Sequence, residues 1–199
     1  MIVVQSNKMT INTEFKLSLK IMLLFIPVAF ATYLFHEFGH WIVGEGLGNN
    51  MAYSLNNVSP QSGYYISASH EVYVSSGGPA FTILLSLLFL LIIEKYKTIY
   101  AYPVVFFQMF CRLFSLVFCG FAQQDEARIS AILGLGIYTI AIIVLLILFL
   151  IVLRASYLLR INLQRNSYIF TISTLCELLV IGTYKLFYYE AVSEFIKNI

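Results

Sequence analysis

Five apolar stretches, each close to the ~20 residues that a helix needs to cross a bilayer, leave this chain few ways to fold. They run at about 21–47, 77–93, 99–121, 132–153 and 168–188. In hydrocarbon every backbone N–H and C=O must be paired within the protein, so stretches of this kind are read as helices. The connections between them are too short to hold a soluble domain. The composition agrees: 60% of the residues are hydrophobic, 11% are charged and the mean hydropathy is +0.84, outside the range of soluble globular domains. The expected fold is an all-α polytopic membrane protein, one integral domain spanning 1–199. A net charge of +2 with no basic run argues against nucleic acid as a partner. Cys111, Cys119 and Cys176 all lie in apolar runs and read as small core residues.

The first run follows Lys16 and Lys20 and contains Ala29-Phe30-Ala31, which looks like a signal-peptide cleavage site. Apolar sequence continues past it to Leu47, so the segment is expected to stay as an anchor. Its length calls for tilt or a kink at Pro27, and Gly44, Gly46 and Gly48 then end it. Gly77-Gly78-Pro79 is expected to open the second helix, with Pro79 in its first turn. Between them, Asn49-Asn50, Asn56-Asn57, Ser59-Pro60 and Ser62-Gly63 mark turns. Residues 64–75 alternate, with Ile66, Ala68, His70, Val72 and Val74 on one face. That pattern predicts a short membrane-associated β-hairpin or edge strand. Asn57-Val58-Ser59 matches a glycosylation acceptor, a frequent accident.

Basic residues cluster in alternate connections: Lys8, Lys16 and Lys20, then Lys95 and Lys97, then Arg154, Arg160 and Arg165. The bias predicts a cytoplasmic N-terminus and a C-terminus on the other side.

Within the first apolar run stands His36-Glu37-Phe38-Gly39-His40. Four residues apart on a helix, the two imidazoles share a face and can reach one ion. Glu37 is placed to take a proton from a water on that ion. Ionisable groups in a membrane span are costly without a task or a partner. A catalytic zinc site needs a third protein ligand, and the HExxHxxGxxH extension is missing, since Val43 and Gly46 stand in its places. Asp125, the chain's single aspartate, is expected to supply it from the end of the third helix. Glu126 is the rival, because neighbours on a helix diverge by about 100°. A plain helix-end ion pair of Asp125 with Arg128 is the bland alternative. His70 reads as an ordinary loop histidine.

HEFGH in a membrane helix, a later Gly77-Gly78-Pro79-Ala80-Phe81-Thr82 and a downstream aspartate resemble the site-2 protease family of intramembrane zinc metalloproteases, over about Tyr33 to Arg128. The resemblance implies one Zn2+ ion held by His36, His40 and Asp125, with Glu37 as catalytic base. It also implies a membrane-associated strand that holds a membrane-spanning or membrane-proximal peptide in extended form. The chain departs from the family at Thr82, where asparagine is usual, and at Asp125-Glu126 in place of Asp-Gly. It has no PDZ-like insertion, and its charge bias puts the zinc nearer the outside rather than the cytoplasm.

A polar cavity open to one face should admit water, with Gln123, Gln124, Ser75 and Ser76 at its mouth. Arg112, inside the third helix, is expected to pair with Glu177 of the fifth, with a carbonyl or oxyanion contact as its functional option. Trp41 and the tyrosines read as packing and interface anchors. Two further functions fit the residues, a zinc-dependent lipid hydrolase or amidase and a non-catalytic polytopic membrane protein. Three histidines are too few for a diiron lipid oxidase.

Overall fold

The computed structural model describes residues 18–54, 57–120 and 124–197, with backbone alone at 119 and 188–197. Lys8, Lys16, Asn56 and Gln123 lie outside the described residues, as does the side chain of Cys119. Helix α1 spans Leu19–Gly46, β1 Met51–Ser54, β2 Asn57–Pro60 and α2 Ala68–Tyr96. Helix α3, Tyr102–Phe114, follows a 3-10 turn at Ile99–Ala101 and widens into a π turn at Ser115–Cys119. A short α4, Asp125–Ile132, precedes α5, Thr139–Leu159, and α6, Leu163–Lys197. Among the described residues five helices are long and apolar enough to cross a membrane. The chain is an all-α, multi-pass membrane protein with one two-stranded antiparallel sheet.

The outer faces are apolar. Leu84, Leu88 and Leu91 on α2 and Ile142, Leu146 and Leu150 on α5 are exposed, as expected of surfaces that meet lipid rather than water. The interior is organised on α3, where Tyr102, Val105, Phe107 and Phe110 are fully buried. Its first turn is fixed by hydrogen bonds as well as packing: the Tyr102 hydroxyl lies 2.7 Å from Ser156 Oγ on α5 and donates to Asn166 Oδ1 on α6 at 2.6 Å. One phenol therefore ties three helices together.

α1 and α2 cross on glycine. A Cβ on Gly39 would overlap the Gly77 carbonyl, and one on Gly77 would overlap the Gly39 carbonyl. Backbones come this close only where small residues allow it, the usual device for packing helices in lipid. Four residues on α2, Val74, Gly78, Thr82 and Ser86, recur every fourth position and are all buried. They form a single stripe along the HExxH face of α1.

Three expectations are corrected by the structure. Residues 68–75 are helical, and the hairpin lies earlier, pairing Met51 with Pro60 and Ser54 with Asn57. The alternation at 64–75 misled because Val74 and Ser75 are buried by the helix crossing, not by a sheet. Gly77-Gly78-Pro79 consequently lies inside α2, more than two turns after Ser67, its N-cap residue. Asn49 sets that earlier start: its side chain bonds the Gly44 carbonyl, the Ile66 N–H and His70 Nδ1. The α1 end and the α2 start are thereby held on one buried amide. The fourth span also moves, to Thr139–Leu159, because Ile132 closes the separate helix α4.

Candidate metal centre

His36 and His40 lie on the inner face of α1, each 6% exposed. Asp125 reaches them from the first turn of α4. It is not the end of the third helix, which stops at the π turn before residues 121–123. His36 Nε2 is 3.2 Å from Asp125 Oδ2, His40 Nε2 is 3.1 Å from the same oxygen, and the two nitrogens are 3.2 Å apart. The result is a nearly equilateral triangle of ligand atoms. Among the described residues it is the group of histidine, cysteine and carboxylate side chains that could hold a metal ion.

The second nitrogen of each ring is also held. His40 Nδ1 is 2.6 Å from the Val74 carbonyl and 3.3 Å from the Gly78 N–H; the much shorter contact is to an atom that can only accept, which favours a proton on Nδ1. His36 Nδ1 is 3.1 Å from Thr82 Oγ1. On its other side, Arg112 Nη2 donates to His36 Nε2 at 3.0 Å. A guanidinium has no acceptor, so Nε2 must present its lone pair. Partners on the far ring nitrogen, here Thr82 and the Val74 carbonyl, are the kind that fix the tautomer and aim of an imidazole offered to a metal.

Three electron-rich atoms this close need a proton or a cation among them. Burial disfavours an ionised Asp125, but the hydrogen bonds and charges of His36 and His40 outweigh it and hold the carboxyl well below its ordinary range. The spacing fits a cation: zinc bonds to nitrogen and oxygen at about 2.0–2.2 Å in a tetrahedron, which places neighbouring ligand atoms about 3.3 Å apart. A tetrahedral ion thus matches the donor set, leaving one position open.

Glycine gives the imidazoles their room. A Cβ on Gly78 would overlap His40 Nε2 and His36 Cε1. The triangle opens on a cavity of about 560 Å3 whose lining includes Glu37, Arg112, Gln124, Arg128 and Lys185. Gln124 lines it as expected. Ser75 instead accepts a hydrogen bond from Arg128 Nη1 at 3.2 Å, and Ser76 bonds back to Val72. Arg128 also approaches Asp125 Oδ1 at 3.7 Å, so it braces the carboxylate against α2. His70 stays outside the triangle, on Asn49.

Glu126 points the other way, toward Arg112, whose Nη1 lies 3.4 Å from Glu126 Oε1. The expected Arg112–Glu177 pair is therefore replaced. Glu177 accepts a hydrogen bond from Tyr33, which sits one turn before His36 and lines the cavity. The reason is that Glu126, in the first turn of α4, reaches Arg112, and where α4 lies could not be read from the sequence. Sequence reasoning also missed Asn57, which lines the cavity from β2, and Val74 as a partner of His40. The four-residue stripe on α2 was the available signal for the second.

Compared with protein-family models, curated proteins and solved structures, the chain matches none.

Proposed function

We propose that this protein is an intramembrane zinc metalloprotease that hydrolyses a peptide bond in or near a membrane-embedded substrate. The observation that carries the reading is the triangle of His36 Nε2, His40 Nε2 and Asp125 Oδ2, with edges of 3.1–3.2 Å. These three side chains would hold the ion. When bound, zinc polarises a carbonyl and makes water a stronger nucleophile. The protein's own residues do the rest. Glu37, buried and facing the cavity, takes the proton of the attacking water and returns it to the leaving nitrogen as the C–N bond breaks. Thr82 and the Val74 carbonyl keep the imidazoles aimed, and Arg128 orients Asp125.

A transmembrane helix hides its amides in its own hydrogen bonds and must be unwound locally before attack. The β1–β2 hairpin supports the protease reading over a lipid hydrolase. Its β2 strand brings Asn57 to the cavity, and Tyr53 anchors it by donating to the Leu34 carbonyl at 2.7 Å. A free strand edge beside the centre is a place for an unwound peptide to pair. Lys20, Lys95, Lys97, Arg154 and Arg160 lie at the helix ends remote from the triangle. By charge bias that end is cytoplasmic, with the N-terminus there and the cavity toward the other face.

The test is zinc content of the purified protein and of His36→Ala, His40→Ala, Asp125→Ala and Glu126→Ala, followed by turnover of membrane peptides and of labelled lipids against Glu37→Gln. One zinc per chain, lost in the first three variants and kept in the fourth, supports the centre. Peptide cleavage abolished by Glu37→Gln supports the protease. Zinc retained in Asp125→Ala refutes the ligand set, and lipid turnover without peptide cleavage refutes the substrate class.

A further inference from the structure

We infer that Arg112 is the anion-binding half of this site, its guanidinium receiving a negatively charged substrate oxygen that binds beside His36. The inference rests on the cluster being a metal centre. Arg112 projects from α3 inside a membrane span, where an unpaired charge is expensive, and its side chain is 13% exposed. One end is anchored: Nη1 faces Glu126 Oε1 at 3.4 Å. The other end, Nη2, donates to His36 Nε2 at 3.0 Å.

That nitrogen has one lone pair, and an ion held by the triangle needs it. Arg112 and the ion therefore exclude each other as partners of His36. With the ion seated, Nη2 still carries its hydrogens and has lost its acceptor. Its Glu126 anchor keeps it at the cavity wall. The charges point the same way. Two neutral imidazoles and one carboxylate leave a divalent ion with one excess positive charge. Arg112, Arg128 and Lys185 add three more charges around the same cavity, against Glu37 on its lining and Glu126 on Arg112. A neutral group would leave that cationic face uncompensated, whereas an anionic oxygen engages both the ion and a charge-assisted hydrogen bond.

Two sources present such an oxygen. In hydrolysis it is the carbonyl oxygen, which takes the C=O π pair as water attacks the carbon and Glu37 accepts the water proton. A free carboxylate, such as a peptide C-terminus, presents the same group without reaction. Both place the negative oxygen where Nη2 has been freed.

The experiment loads the full-length protein in detergent with cobalt(II) and follows the visible cobalt band. Acetate, a phosphinate dipeptide and neutral imidazole are titrated separately. Wild type, Arg112→Gln and Arg112→Gln with Glu126→Gln are compared, the double variant so that Glu126 is not stranded beside a lost partner. Expected is equal cobalt loading and equal imidazole affinity in all three, with anion affinity down roughly tenfold or more in both variants, the worth of one hydrogen bond to a charged group. A loss with phosphinate alone assigns Arg112 to the attacked carbonyl, and a loss with acetate alone assigns it to a standing carboxylate. Unchanged affinity for both anions overturns the proposal and leaves Arg112 as the partner of Glu126. So does an equal loss for imidazole. Absence of cobalt uptake by the wild type overturns the metal centre first and this role with it.

Discussion

Gly78 has no side chain where two imidazoles stand, and that makes it a sharper probe of the centre than the ligands themselves. Gly78→Ala would drive a methyl into His36 and His40 while leaving all three proposed ligands in the sequence. The expected outcome is loss of zinc with helical content unchanged, checked by metal analysis and circular dichroism. Thr82→Val keeps the volume and removes the oxygen that holds His36 Nδ1. Losing an outer partner of this kind weakens metal binding roughly tenfold or more, to be measured by competition with a chromophoric chelator. Protons compete for the same lone pairs, so acid would release an ion held there. Zinc affinity should hold above the ordinary histidine range near pH 6.5 and fall as the pH drops through it. Titrating zinc content against pH in wild type checks the sign.

At the scale of elements, the α1–α2 crossing is the part that makes a site out of a motif. Two glycines let the backbones touch, and the same contact sets the Val74 carbonyl and Thr82 against the two histidines. Gly39→Ala or Gly77→Ala should destabilise by about 1–3 kcal/mol, the usual cost of forcing a methyl into a packed contact, and zinc should be lost in parallel. Gly46→Ala is the matched control, since nothing lies within 4 Å of the position its Cβ would take. It should leave the thermal midpoint in detergent unchanged or slightly raised. Equal behaviour of all three variants would mean that the crossing does not hold the centre. α4 is the other decisive element. It begins at Asp125, so its first two residues point in different directions, Asp125 into the triangle and Glu126 to Arg112.

For the whole molecule, the triangle and the basic helix ends lie at opposite ends of the spans, which predicts that they face opposite sides of the membrane. Cysteines placed at Ser62 and at Lys97 test it. Ser62→Cys should react with an impermeant maleimide in intact cells, and Lys97→Cys only after permeabilisation. The reverse pattern would turn the protein over and put the cavity toward the cytoplasm.

The number of spans and the shared face of His36 and His40 were legible in the sequence alone, because bilayer length and the four-residue spacing on a helix are local properties; the starts of the second and fourth spans were not. Asp125 could be named from its rarity and its place after the third span, but its preference over Glu126 could not be settled there. It depends on a new helix starting after 121–124, which aims two adjacent carboxylates apart. The start of α2 was misread for a similar reason. Alternation over Tyr64 to Ser75 reads as a strand, but Asn49 and the glycine crossing, both tertiary contacts, fix a helix from Ala68 onward. The partner of Arg112 was likewise open, since Glu126 and Glu177 carry the same charge and only the tertiary placement of α4 brings Glu126 to hydrogen-bonding distance. What local spacing cannot encode is which of several apolar helix faces meet. The tertiary structure decided that, and with it which charges share a wall.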